Sequence, residues 1–457
     1  VVEELMPELR QTGERLAAEE LNLYDDDNLA DRIAERRAIV QRWKKIYWDE
    51  FIPFAHGVRY LGLYYNDAVR PADPYEFVGI LQGEELLAVQ RNRTLKRLAW
   101  QLRENRDLET ALRDALERAA DSNRLSPPPA PPDGDGPHAV PGSESHSAAR
   151  AQPHPDLTHV PWTELESIVS ATEGAGRFLE EFRELLRQFM DITFSGQRLM
   201  DHAPQLLRTV LELASQVDDT SETAEAGSDG CAAELEQRLL DAVGPGRHDE
   251  AKEVIRLGRL SWRLRDDDNI LVARLESQLL RALQVAATRL QQAGRLNRDA
   301  GVVVQVTDAI VAALRDAGNH PITLPPEELD TDPAPPVDTR ETPRQLIGQP
   351  AAPGFATGTL RVIRGPRDLG AFQAGEVLVC DAIQPTMTHV VPLAAAVVER
   401  RGGMLIHGAI IARELGIPCV NGVPEAATLL ADGQHVAVDG HLGIVTVGEP
   451  EFDLELE

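Results

Sequence analysis

The sequence predicts a multi-domain chain, with a largely α-helical N-terminal region followed by a C-terminal α/β domain. Three observations point there. Apolar residues recur at helical spacing up to about residue 322, two proline-rich stretches interrupt the chain, and past the second the pattern becomes short β-type runs separated by Gly, Pro and Asp. At 457 residues the chain is long enough for two to four domains with a substantial core.

Residues 1–125 read as a first helical part, in which Ile39, Trp43, Tyr47, Phe51 and Phe54, and later Leu95, Leu98 and Leu102, follow helical spacing. Composition then breaks at Ser126-Pro127-Pro128-Pro129, and 126–157 read as a Pro/Gly/Ser-rich linker or insertion with little to bury. A second helical part, 158–322, carries one apolar stripe of Phe178, Phe182, Leu185 and Phe189 and another of Leu271, Leu275, Leu279, Ala282 and Ala286. A polar, acidic loop from Asp218 to Gly230 separates them. A proline-rich hinge spans 323–345. The α/β domain, 346–449, holds strand-like runs at Thr359–Ile363, Val377–Cys380, Ala394–Val398, His435–Val438 and Ile444–Val447, interrupted by a helix that begins near His407; 450–457 form an acidic tail.

An internal echo links the helical parts: Asp25-Asp26-Asp27-Asn28 and Asp266-Asp267-Asp268-Asn269 each precede a helical pattern. Both are expected to cap helix starts, because Asp and Asn accept hydrogen bonds from free N–H groups and suit the positive end of the dipole. The alternative is a Mg²⁺ or acceptor site built from clustered carboxylates. Of the 21 aromatic residues, ten lie between Trp43 and Phe77, more than one helical face can hold. Core packing and a small-molecule pocket both fit that run, and its candidate pocket residues are Trp48, His56, Arg59, Tyr60, Tyr64 and Tyr65.

A formal charge of −28 argues against nucleic-acid and anionic-membrane partners, which would be repelled. No apolar run approaches the length of a membrane span. The three cysteines (Cys231, Cys380, Cys419) are far apart, so no metal spacing is predicted, and their scarcity suits a reducing cytoplasm.

The chemistry is concentrated in the run from Arg401 to Pro418, which reads strand, Gly402-Gly403 turn, then a helix opening at His407-Gly408. Neutral imidazole is a good nucleophile toward phosphorus near pH 7, and a helix N-terminus suits a phosphoryl group. Gly402, Gly403 and Gly408 leave room for a sharp turn and a bulky donor. Arg413 falls about 120° around the helix from His407, so it is expected to be a structural ion-pair partner rather than a phosphate ligand.

The pattern Gly-Gly-x-x-x-His-Gly-Ala-Ile-x-Ala-Arg-Glu-Leu-Gly-Ile-Pro resembles the phosphohistidine "swivelling" domain of phosphoenolpyruvate-utilising enzymes. The likeness extends upstream through Gly375–Val379, Pro385 and Thr388, and downstream through Asp432-Gly433-Gln434, Val438-Asp439-Gly440 and Gly443. It implies a β/β/α swivelling domain with His407 as the phosphoryl carrier, supported by the three glycines, Arg413 and a hydroxyl from Thr388. Two departures stand out. Ile406 occupies a position where the family often has Ser or Thr, and a threonine often found before the Pro385 position is absent.

The resemblance further implies that this chain alone binds no cofactor, and that ATP and Mg²⁺ act through an ATP-grasp domain or subunit that is not recognisable here. The layout is most similar to rifampicin phosphotransferase, in which the helical region holds a hydroxyl-bearing acceptor. The expected function is therefore a phosphohistidine relay from ATP to a small-molecule hydroxyl acceptor. Its competitors are a subunit of a split phosphoenolpyruvate- or phenylphosphate-synthase-like enzyme, acting on a pyruvate-like substrate, and a degenerate binding or regulatory module.

Overall fold

Asp25 starts the longest helix of the first part: its Oδ1 accepts the Asn28 N–H at 2.8 Å. The computed structural model describes residues 3–81, 86–124, 162–194, 197–216, 228–297, 301–324, 344–384, 386–404 and 406–448. The predicted linker, the hinge from 325 to 343, residues 218–227 of the acidic loop and the tail lie outside these residues. The first helical part comprises α1 (Leu5–Ala18), α2 (Asp26–Ile46), α3 (Gly57–Val69), α4 (Leu87–Glu104) and α5 (Arg106–Arg124). The second comprises α6 (Trp162–Ala171), α7 (Gly176–Phe189), α8 (Ala203–Gln216), α9 (Ser228–Val243), α10 (His248–Gln292) and α11 (Thr307–Arg315).

The two parts are not packed separately. The 45-residue α10 lies against α1, α2, α3 and α4. One apolar core joins Leu16, Ile33 and Trp43 to Leu275, Leu279 and Leu283 from the far side of the linker. The second acidic echo is a correction to the sequence reading. Asp266–Asn269 sits in the interior of α10, because buried Trp262 and Leu264 before it and Ile270 and Leu271 after it keep the helical register unbroken. Asp267 still caps a helix, but a neighbour's: its Oδ1 accepts the N–H of Leu87, the first residue of α4, at 2.9 Å. Beyond α2 the chain makes one π-type turn, Tyr47–Phe51, of the kind often found at functional sites.

The C-terminal domain is a mixed sheet of eight strands: β1 (Gln345–Ile347), β2 (Gln349–Ala352), β3 (Phe355–Ile363), β4 (Val377–Cys380), β5 (Ala396–Glu399), β6 (Cys419–Asn421), β7 (His435–Asp439) and β8 (Ile444–Val447). Their order is β1-β8-β7-β3-β4-β5-β6-β2. The run β3-β4-β5-β6 is parallel and the remaining pairings are antiparallel. Every residue of β4, β5 and β6 is buried, as parallel strands covered on both faces require. Two helices of the domain face the helical region or the site, α12 (Pro366–Ala371) and α13 (His407–Leu415).

This domain docks onto α8. Arg208 Nη1 donates to the Gly370 carbonyl at 3.3 Å, and one apolar core runs from Leu206, Leu207 and Val210 to Leu369, Val391 and Leu393. The docked arrangement turns the C-terminal end of β5 and the start of α13 toward the helical region.

Candidate active site

β5 ends at Glu399, and the chain returns through Arg400-Arg401-Gly402-Gly403-Met404 to open α13 at His407. Gly403 has φ +138°, a backbone state closed to residues with a Cβ. Asn421, buried at the end of β6, holds that turn: its Nδ2 donates to the Gly403 carbonyl at 2.8 Å. Arg413 reaches back from α13 to donate to the Met404 carbonyl at 2.6 Å. The sequence reading expected an ion pair here; the contact goes to a carbonyl instead, so Arg413 fixes the loop rather than a charge. Gly402 lies against Gly422, the residue after β6. Thr388 is completely buried and does not contribute to the cavity wall that His407 shares.

His407 is the first residue of α13, with the apolar Ile406 at its N-cap and no capping side chain. The ring is half-buried and its Nε2 is covered from solvent. The dipole of α13 places partial positive charge at this end. Beneath the first turn lies Glu399. A Cβ at Gly408 would fall on both of its carboxyl oxygens, so only glycine lets the helix sit so close. Glu399 is 0% exposed and its Oε1 accepts the Ile383 N–H at 2.6 Å. Burial pushes its carboxyl up to about 7, with Asp381 adding to the rise and the Ile383 bond opposing it.

His407 and Glu399 share a cavity of about 720 Å³ with Ile383, Gln384, Arg401 and Ile406 of the sheet domain and with Tyr47, His56, Arg59, Asp268 and Asn269 of the helical region. His56 Nδ1 lies 3.0 Å from the Ile52 carbonyl. A carbonyl only accepts, so Nδ1 carries the proton and the neutral ring presents its lone pair at Nε2. Asp268 is buried and accepts from Asn269 Nδ2 at 3.1 Å. Arg401 is ion-paired with Asp381 at 2.8 Å, and Arg400 pairs with the same carboxylate.

Of the six pocket residues suggested by the aromatic run, His56 and Arg59 thus line the cavity with His407. The other four lie elsewhere. Tyr65 is in the core with its hydroxyl donating to Glu76 at 2.5 Å, and Tyr64 packs against that core with Arg247 over its ring. Tyr60 is exposed. Trp48, also exposed, lines a neighbouring groove that shares Tyr47, Asn269 and Gln384 with the cavity. For the three tyrosines, positions on α3 explain the split: the face carrying Val58, Leu61 and Tyr65 turns inward. Sequence reasoning missed Glu399 and Asn421, whereas Asp268 figured in it only within the acidic echo, whose alternative reading was a Mg²⁺ or acceptor site. The available signal was polarity where a buried strand end or mid-helix position calls for an apolar side chain.

Residues 372–443 match the family described as PEP-utilising enzyme, mobile domain. The C-terminal domain is a PEP-utilising-type mobile domain. Relatives share it at about 40% identity. An uncharacterised phosphotransferase of Bacillus subtilis is 41% identical over 110 residues, which are 24% of this chain and 13% of that protein. A probable phosphoenolpyruvate synthase of Archaeoglobus fulgidus is 42% identical over 106 residues, 23% of this chain and 14% of that protein. The phosphoenolpyruvate synthase of Pyrococcus furiosus is 38% identical over 130 residues, 28% of this chain and 16% of that protein. The likeness therefore lies in the mobile domain, and this chain spans only about a seventh of the length of these relatives. Together they support a phosphotransfer-related role. Among the described residues no helix is long and apolar enough to cross a membrane.

Proposed function

We propose that this chain is the phosphohistidine-carrying and acceptor-binding portion of an ATP-dependent phosphotransferase. One observation carries the reading: His407 of the mobile domain lines the same cavity as His56 and Arg59 of the helical region. A carrier histidine beside a pocket built by another domain is what delivery to a bound acceptor requires.

In this reading an ATP-grasp domain, on a partner polypeptide or on another part of a longer protein, supplies the phosphoryl group from ATP, with Mg²⁺ on the nucleotide. The His407 ring attacks phosphorus as a neutral nucleophile: as the N–P bond forms, the P–O bond to the rest of the nucleotide breaks, the nucleotide fragment leaves with the bonding pair, and the ring's other N–H releases its proton to solvent. The acceptor is a small molecule bearing a hydroxyl, as in the rifampicin phosphotransferase layout. It enters the cavity, and its hydroxyl gives its proton to His56 Nε2 as its oxygen bonds to phosphorus; the N–P bond breaks, and the His407 ring leaves with the bonding pair and regains a proton from solvent at its other nitrogen. Arg59 and Arg401 offset the charge of the phosphoryl group in flight.

The test is mass spectrometry under alkaline conditions after incubation with an ATP-grasp partner and ATP. The expected result is an acid-labile phosphate on His407 that is absent in His407→Ala. Its discharge onto a panel of alcohols and phenols is expected to slow at least tenfold in His56→Asn, with labelling intact. A His407 that never labels would leave only a binding module.

A further inference from the structure

Glu399 is a group that the phosphohistidine relay does not use. The carboxyl has 0% exposure, lines the cavity, and lies against Gly408, the residue next to His407. Its Oε1 is engaged by the Ile383 N–H, whereas Oε2 has no hydrogen-bond partner among the described residues. The helix that starts above it has an apolar N-cap, so no side-chain hydroxyl or amide at that position reaches the space over His407. A buried carboxyl that lines the cavity and keeps one oxygen without a hydrogen-bond partner among the described residues can donate when protonated and only accept when ionised.

We propose that Glu399, in its protonated form, donates a hydrogen bond to the phosphoryl group carried on His407, and that its ionisation repels that group. The proposal rests on the phosphohistidine reading of His407 and adds a second titrating group to it. Glu399 acts through the phosphoryl group's charge: a dianionic group beside a carboxylate is like charge on like charge in a poorly hydrated site. Linkage makes the effect reciprocal, so phosphorylation tightens the hold of Glu399 on its proton.

The surroundings leave this titration to Glu399. On its own strand end, Arg400 and Arg401 are both drawn to Asp381, whose carboxylate adds to the negative field. Cys380, its register partner on β4, and Cys419 on β6 are thiols that burial pushes up, so they stay neutral through this range. Across the cavity stand His56, Arg59 and Asp268, with His407 itself above. Burial holds the Glu399 carboxyl near 7, which places its ionisation within the working range of a neutral imidazole nucleophile.

Phosphoramidate tests this without a partner protein. The neutral ring nitrogen of His407 forms the new N–P bond. The P–N bond of nitrogen-protonated phosphoramidate breaks, ammonia leaves with the bonding pair, and the ring's other N–H releases its proton to solvent. Occupancy of His407 is read by mass spectrometry in wild type and Glu399→Gln from pH 6 to 8.5, and the variant-to-wild-type ratio cancels the titration of reagent and ring. The expected ratio is near one at pH 6, where the Gln amide donates as the protonated carboxyl does. It rises to about tenfold at pH 8.5, where only wild type carries the anion. A ratio that stays flat while His407 labels overturns the role of Glu399 and leaves the relay standing. If His407 labels in neither protein, the relay fails and this proposal with it. Should Glu399→Gln not fold, infrared spectroscopy of wild type decides: a protonated-carboxyl band at pH 6 should shift when His407 is phosphorylated, and an unmoved band overturns the proposal.

Discussion

Replacing Glu399 by Gln should make the mobile domain more stable in alkali. Folding carries this carboxyl from its ordinary 4.5 to about 7, because the sheet and the first turn of α13 strip it of water. Such a rise opposes the ionised form by about 3 kcal/mol. The sign follows from proton counting. Between 4.5 and about 7 the folded domain holds a proton that the unfolded chain has released, so wild-type stability falls as pH rises through that window and levels off above it. Glutamine keeps the shape and can accept the Ile383 N–H through its Oε1, yet it cannot ionise. Variant and wild type should match near pH 4.5 and separate by about 3 kcal/mol at pH 8.5. Cys380 and Cys419, both buried beside Glu399, supply the assay. Thiol pulse-labelling along a urea series, resolved peptide by peptide, reports unfolding of this sheet rather than of the helices. An unchanged gap between pH 4.5 and 8.5 would refute a carboxyl made costly by burial.

Gly408→Ala should abolish His407 labelling and lower the urea midpoint of the same thiols, because its Cβ would overlap both Glu399 oxygens; a variant that labels normally would show the helix can shift. Arg413→Met removes the bond to Met404 and should destabilise the sheet domain by about 1–3 kcal/mol, measured by the same labelling, with His407 phosphorylation slowed alongside. His389 is fully enclosed and held neutral, down to about 3, by burial with the Arg91 charge adding, and its Nδ1 faces the Thr386 carbonyl. Its folded value lies below the ordinary 6.5, so stability is complete above 6.5 and lost as pH falls toward 3. His389→Asn should flatten that acid limb in a pH series of urea melts.

The change from helical to strand spacing after the second proline-rich stretch was legible because it rests on periodicity alone. The runs at Val377–Cys380 and Ile444–Val447 coincide with β4 and β8. Strands β1, β2 and β6 were not legible: β1 and β6 have only three residues each, and β2 contains Pro350, so neither alternation nor β-propensity accumulates. His407 at a helix start could be read from the flanking glycines. Glu399 could not, since a carboxylate at a strand end reads as solvated until a helix is seen to cover it. The acidic echo in α10 misled for a related reason: Asp267 does cap a helix, but α4, 180 residues away in sequence. Capping chemistry was visible in the sequence, and the identity of the capped helix was a tertiary fact.

The docked position itself bears on how the proposed relay would run. Leu369, Val391 and Leu393 share a core with Leu206, Leu207 and Val210 of α8. Exposing the first three alone would cost on the order of 5 kcal/mol. A mobile domain that leaves this position to be loaded therefore needs an equivalent apolar surface at the donor. Hydrogen exchange can detect the departure. In the chain alone α8 should stay protected along the face it shares with the mobile domain; with an ATP-grasp partner and ATP, exchange there should quicken as His407 becomes phosphorylated. If His407 gains phosphate from ATP while α8 exchange stays unchanged, the donor reaches it in the docked position. The cavity that joins the two regions would then be the loading site as well as the delivery site.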